Sequence, residues 1–125
     1  MITNQLHVMQ ISADCHIVME NVAVIRYLSK PFGYALVNSQ GHEHYHEFNM
    51  FVACFDDLIS RFRFVFGCNR IVAFDDNTFF VANHISSVER SPSDVRVTTT
   101  SNIMYAIPTP TKLDDSVIRS FASVA

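Results

Sequence analysis

Three histidines alternate along one short segment, His42-Glu43-His44-Tyr45-His46-Glu47. On a β-strand, alternate side chains share a face about 6.6–6.8 Å apart, so the three imidazoles would line one side of the strand. Two neighbouring histidines can hold Zn²⁺, Ni²⁺ or Cu²⁺ if a third ligand comes from elsewhere. Three in a column do not converge on one tetrahedral ion. We therefore favour a ligand or interface surface that includes Tyr45, and keep a metal site at His42, His44 and His46 as the alternative.

Four arginines form a second candidate site: Arg61, Arg63, Arg90 and Arg96. Together they could grip a phosphate or a nucleotide, with a Phe or Tyr ring stacked on the base. In the plainer interpretation, Arg61 and Arg63 end a helix, where a cation complements the helix dipole and the side-chain stem covers apolar surface. Both interpretations stay open at this point.

Nucleophilic catalysis has little support in the sequence. Cys15 and His16 are neighbours on a predicted strand, so their side chains point to opposite faces and cannot form a dyad. Cys54 and Cys68 lie among phenylalanines, which predicts small apolar core residues. The Gly-rich motifs of phosphate and dinucleotide sites are missing from the sequence. We expect a protein that is not an enzyme and that needs no cofactor.

Composition narrows the class of protein. The chain has 125 residues, 49% of them hydrophobic and 17% charged, which predicts one folded domain rather than a disordered segment. The formal net charge of −3 argues against a dominant phosphate-binding surface, so we expect no long nucleic acid as a partner. No apolar run approaches the roughly 18–20 residues needed to span a membrane. Three cysteines without a CxxC pair suggest a cytoplasmic protein, in the host cytoplasm if it is viral.

Short alternating segments predict a β-rich α+β fold. In the first half, strands are predicted at 6–12, 16–19, 22–28, 34–38 and 42–48. Asn49 is predicted to cap a helix whose apolar positions run from Phe51 to Phe62. In the second half, strands are predicted at 70–74, 78–81, 85–90, 95–100 and 103–107, followed by a closing helix capped by Asp114 or Asp115.

The two halves share this order, which predicts a single compact domain over 1–125 made of two pseudo-repeats, 1–66 and 67–125. Each repeat is expected to be a small bent antiparallel sheet closed by a short helix. Val22 and Ile25 match Ile85 and Val88 in this alignment. The three histidines match Ile103, Tyr105 and Ile107.

Residues 70–121 resemble the small flagellar FlbD-type family. The resemblance depends on a strand and turn pattern carried by Phe80, Asn83, Ile85, Val88, Glu89, Pro92, Asp94, Val95 and Val97. It implies a small, strongly bent β-sheet unit closed by a helix, and that family offers no catalytic residues to carry over. A tandem form of 125 residues departs from that short, single-copy family.

The favoured function is a small non-enzymatic adaptor that acts as a homo-oligomer and recognises a partner protein or a small ligand. The apolar content and the open strand edges are the basis for expecting an oligomer. One alternative is a viral-type inhibitor that sequesters a nucleotide-like anion through arginine. The other is a metal-binding protein or metal-dependent enzyme built on the histidine strand.

Overall fold

The computed structural model describes residues 6–108, and within them the chain forms ten β-strands and one α-helix. The strands are β1 (Val8–Ser12), β2 (Cys15–Val18), β3 (Val22–Ser29), β4 (Phe32–Asn38), β5 (Glu43–His46), β6 (Ile71–Ala73), β7 (Thr78–Val81), β8 (Ile85–Arg90), β9 (Asp94–Thr99) and β10 (Met104–Pro108). The helix, α1, is Phe55–Phe66. The predicted β-rich architecture is confirmed.

All strand pairs are antiparallel and form three sheets. The largest sheet has the order β5-β4-β3-β7-β6, and the others are β1-β2 and β10-β9-β8. The prediction of one separate sheet in each half is not confirmed, because β6 and β7 of the second half extend the sheet of the first half. Strand β3 would otherwise leave a row of backbone groups unpaired along one edge, and β7 satisfies part of that row.

The five-stranded sheet is the middle layer of the molecule. One face packs against α1 and the β1–β2 hairpin through a core that includes Ile25, Leu36, Leu58 and Phe62. The other face packs against the three-stranded sheet through a core that includes Val24, Val37, Phe80, Val95 and Val97. Alternation along β3 and β4 supplies both cores, since successive strand residues point to opposite faces.

Helix α1 begins later than the sequence predicts. Asn49 does not cap it: the Asn49 side-chain oxygen accepts hydrogen bonds from the backbone N–H groups of Phe51 and Val52, and its amide donates to the carbonyl of Ile11. These bonds hold a loop, which is a common role for Asn side chains. The helix starts at Phe55, with Asp56 and Asp57 in its first turn.

One short series of elements occurs twice within the described residues. In each, a hairpin leads to a 3₁₀ turn (Met19–Asn21 or Ala82–His84), and the turn leads directly into a long strand, β3 or β8. In each, the register of that strand with the next one shifts near its start. The predicted second helix lies outside the described residues.

Two further predictions concern single residues and membrane segments. Cys54 and Cys68 are exposed, so their prediction as core residues is wrong: both lie beside the ends of α1 rather than on its inward face. Within residues 6–108, no helix has the length and apolar character to cross a membrane.

Candidate functional site

The histidine segment is positioned by a tight turn between β4 and β5. The Asn38 side-chain oxygen accepts hydrogen bonds from the backbone N–H groups of Gln40 and His42, at 2.9 and 3.0 Å. Gly41 has φ of 89°, in the left-handed region that favours glycine. His42 precedes β5, whereas His44 and His46 lie on the strand opposite Leu36 and Tyr34 of β4. His42 lies at the turn end of this segment, where its carbonyl accepts a hydrogen bond from the backbone N–H of Asn38 at 2.9 Å.

His44 and His46 line a cavity of about 310 Å³ between the β1–β2 hairpin and strands β4 and β5. Its other lining residues are Cys15, Ile17, Val18, Asn21, Val22, Leu36 and Asn38. Tyr45 points to the opposite face of the sheet, and its hydroxyl donates a hydrogen bond to the carbonyl of Phe32 at 2.8 Å. Within residues 6–108, no three His, Cys, Asp or Glu side chains are grouped closely enough to hold a metal ion.

His46 is the more buried of the two imidazoles in the cavity. Burial, followed by the charge of His44, lowers the pKa of His46. Its ring lies 5.4 Å from that of Tyr34, measured between centroids. Burial raises the pKa of Tyr34 to about 12, and no hydrogen-bond partner for its hydroxyl is found among the described residues. The cavity therefore favours neutral groups.

The four predicted arginines are not brought together. Arg61 and Arg63 lie on α1, on one side of the five-stranded sheet. Arg61 forms an ion pair of 2.9 Å with Asp57, and the guanidinium of Arg63 lies 5.6 Å from the centroid of Phe79. Both arginines thus make contacts that stabilise the helix and its packing.

Arg90 and Arg96 lie on the opposite side of the molecule, on the hairpin formed by β8 and β9. Val95 and Val97 are buried against the five-stranded sheet, so Arg96 between them points outward. The exposed residues Glu89, Met104 and Ala106 lie beside it on β8 and β10. This outward face of the three-stranded sheet, with the hairpin loop, is called the outer face below.

The loop of this hairpin holds a hydrogen-bonded group that the sequence interpretation missed. Ser91 donates a hydrogen bond from its hydroxyl to a carboxylate oxygen of Asp94 at 2.8 Å, and the guanidinium of Arg96 lies within 3.2 Å of both carboxylate oxygens. The segment Ser91-Pro92-Ser93-Asp94 was predicted only as a loop. A serine three residues before an aspartate is the signal that could have identified it.

No family model and no curated protein matches the chain. A solved structure of a LytTr DNA-binding domain from Bacillus cereus is similar over 98% of this chain and 97% of that one, with a TM-score of 0.56 and 9% sequence identity. At this identity the similarity concerns the fold.

The comparison corrects three predictions. The flagellar FlbD-type resemblance is wrong, because the fold is similar to that of a LytTr DNA-binding domain and not to that of a flagellar FlbD-type protein. The function predicted from sequence, an adaptor for a partner protein or small ligand, is contradicted by the same match. So is the exclusion of long nucleic acid, which rested on the net charge of the chain and not on how that charge is distributed. The homo-oligomer and the viral origin gain no support.

Proposed function

We propose that the protein is a non-enzymatic DNA-binding module and that it contacts duplex DNA through the outer face. The observation that carries this proposal is the similarity of the fold, along nearly the full length of both chains, to a domain that is described as DNA-binding. The residues of the outer face give it further support.

The outer face carries the side-chain types that contact phosphates. Arg96 points outward on β9 and Ser93 is exposed in the hairpin loop, while Arg90 is exposed at the end of β8 beside that loop, where it pairs with the buried Val95. Arginine and hydroxyl groups make a large share of the hydrogen bonds between proteins and the DNA backbone. The end of the β8–β9 hairpin, which carries the loop and Arg96, is the part of this sheet that would enter the major groove.

The balance of acidic and basic residues favours the same face. Within 6–108, the residues before β8 include eight acids and five bases, whereas β8 to β10 and their loops include two of each, the acids being Glu89 and Asp94. Asp94 is already engaged by Ser91 and Arg96. A polyanion is repelled less where acids do not outnumber bases, so the acidic remainder of the described residues would direct DNA toward the outer face.

We also propose that the domain arose as two copies of one unit, 1–66 and 67–125. The turns after β4 and β9 support this, because each has the same backbone hydrogen bonds: Asn38 to His42 and Thr99 to Ile103, both at 2.9 Å. Gly41 and Asn102 occupy matching positions in these turns, and both have positive φ. On this proposal the two hairpins, β3–β4 and β8–β9, are equivalent, and among residues 6–108 no layer covers the outward face of the second.

The proposal is tested by fluorescence anisotropy with a labelled 30-base-pair duplex over a series of salt concentrations. We expect binding that weakens steeply with salt, because phosphate contacts release counterions. Arg96→Ala should weaken binding and reduce the salt slope by about 1. Absence of binding by the unmodified protein at low salt would contradict the proposal.

Arg61→Ala is the matched control, because it removes one partly exposed guanidinium from the opposite side of the molecule. It should leave both affinity and salt slope close to those of the unmodified protein. Equal losses of affinity in the two variants would show that binding depends only on net charge. The outer face would then not be the DNA-binding surface.

A further inference from the structure

We infer that Arg96 reads a guanine in the major groove and that Asp94 and Ser91 are the residues that position it. This inference rests on the proposed function, since it assigns base recognition to one residue of the outer face.

Ser91 fixes the carboxylate of Asp94. Its hydroxyl donates to Asp94 Oδ1 at 2.8 Å, while the backbone N–H of Asp94 donates to the same hydroxyl oxygen at 3.1 Å. The backbone N–H of Ser93 also donates to the Ser91 hydroxyl oxygen, at 3.3 Å. The hydrogen bond from Ser91 is the main reason that the pKa of Asp94 lies below its ordinary value, and Arg96 adds to the effect. Asp94 is therefore a fixed, charged acceptor.

Asp94 in turn holds Arg96 by one edge of its guanidinium. Arg96 Nε lies 3.1 Å from Oδ1 and 3.2 Å from Oδ2 of Asp94. Among the contacts described for residues 6–108, the two terminal nitrogens of Arg96 do not take part in this pair. Glu89 lies directly across the strand pair from Arg96 and is the other carboxylate on this face. Asp94 thus orients the guanidinium of Arg96 through Nε, and within the described residues the two terminal nitrogens remain available to bind a ligand.

An oriented arginine fork matches one base edge in particular. Guanine presents two acceptors, O6 and N7, to the major groove, and the arginine fork donates to both at once. Lysine cannot reproduce this because its ammonium group is a single point of charge. Holding Nε with Asp94 reduces the rotamer freedom that Arg96 would lose on binding. The group Ser91–Asp94–Arg96 therefore has the chemistry of guanine recognition.

The experiment is selection from a pool of 40-base-pair duplexes with a randomised centre, followed by sequencing of the bound fraction. We expect the unmodified protein to enrich a motif with a fixed guanine. Arg96→Lys keeps the charge and should lose the preference at that position, roughly 5- to 150-fold against other bases, while still binding the pool. Asp94→Asn should weaken the same preference, because the orienting charge is lost.

Glu89→Gln is the control for Asp94→Asn, since it neutralises the other acid beside Arg96 and should leave the preference intact. Melting temperatures of all variants check that each is folded. If the unmodified protein binds no duplex, the proposed function fails. If it binds and Arg96→Lys retains the guanine preference, or if no guanine is enriched, the proposed function stands and the inference about Arg96 is overturned.

Discussion

Strands β5 and β10 occupy matching places in the two halves and have opposite surroundings. His44 lies opposite Leu36 on β4, in the same way that Tyr105 lies opposite Val97 on β9. Tyr105 packs edge-on against Phe80 in the core, with ring centroids 5.2 Å apart, whereas His44 is exposed at the rim of a cavity. The same local backbone therefore serves a core in one half and a polar rim in the other. Whether such a strand carries apolar or polar side chains therefore depends on the layer that packs against it and not on its backbone conformation.

The largest expected effect comes from truncating Tyr105 and His44, one at a time, to alanine. Tyr105→Ala should lower the free energy of unfolding by about 2–3 kcal/mol, because a half-buried aromatic ring leaves the core. His44→Ala should change it by less than about 0.5 kcal/mol, as is usual for an exposed residue. Urea unfolding of both variants measures the difference. Similar losses would mean that the two positions have the same role.

A smaller effect distinguishes the two turns. Gly41→Ala should lower the free energy of unfolding by about 1–2 kcal/mol, because a φ of 89° is strained for a residue with a Cβ. The added Cβ would also lie 2.9 Å from Ile103 Cδ1. Asn102 has φ of 67°, which Asn tolerates, so Asn102→Gly should be nearly neutral. Thermal unfolding compares them, and a tolerated Gly41→Ala would contradict the close contact between the two turns.

The smallest expected effect concerns pH. Burial lowers the pKa of His46 in the folded protein, so the unfolded chain binds more protons near and below its ordinary pKa of about 6.5. Stability from this residue is present above that pH and decreases as pH falls through it. The other titratable groups that line the cavities beside His46 are Cys15, His44, Tyr45 and Glu47, and Tyr34 packs on its ring.

The measurement is the free energy of unfolding from pH 8 to 5. His46→Gln should flatten the decrease on the acidic side, while His16→Gln, on the exposed side of β2, serves as the control. If His46→Gln leaves the pH dependence unchanged, burial of His46 does not contribute to it.

The sequence predicted most of the strands because each carries its own alternation or β-branched run. The strands β7 and β8 were predicted with the boundaries that the structure has. Prediction failed where a residue's partner is distant in sequence. Asn49 bonds Ile11 instead of capping a helix, and β6 and β7 join the sheet of the first half. The local sequence pattern contains no information about the hydrogen bond from Asn49 to Ile11 or about the pairing of β7 with β3.

The candidate site was predicted only in part, for the same physical reason. Residue type alone grouped Arg61 and Arg63 with Arg90 and Arg96, yet the two pairs lie on opposite sides of the five-stranded sheet. Net charge alone excluded a polyanionic partner, whereas within residues 6–108 the excess of acids over bases lies entirely before β8. The net charge of a chain does not show how its charged residues are distributed over the folded surface.

The pairing of β3 with β7 has a consequence for the order in which the chain folds. During synthesis, β3 and β4 emerge early, but Val24, Ile25 and Arg26 meet their partners on β7 only after the helix and β6 have followed. Pairings between residues so far apart in sequence form slowly, and an open strand edge invites wrong pairing in the meantime. A chain interrupted after α1 would keep that edge open. The first half is therefore expected to depend on the second for its folding.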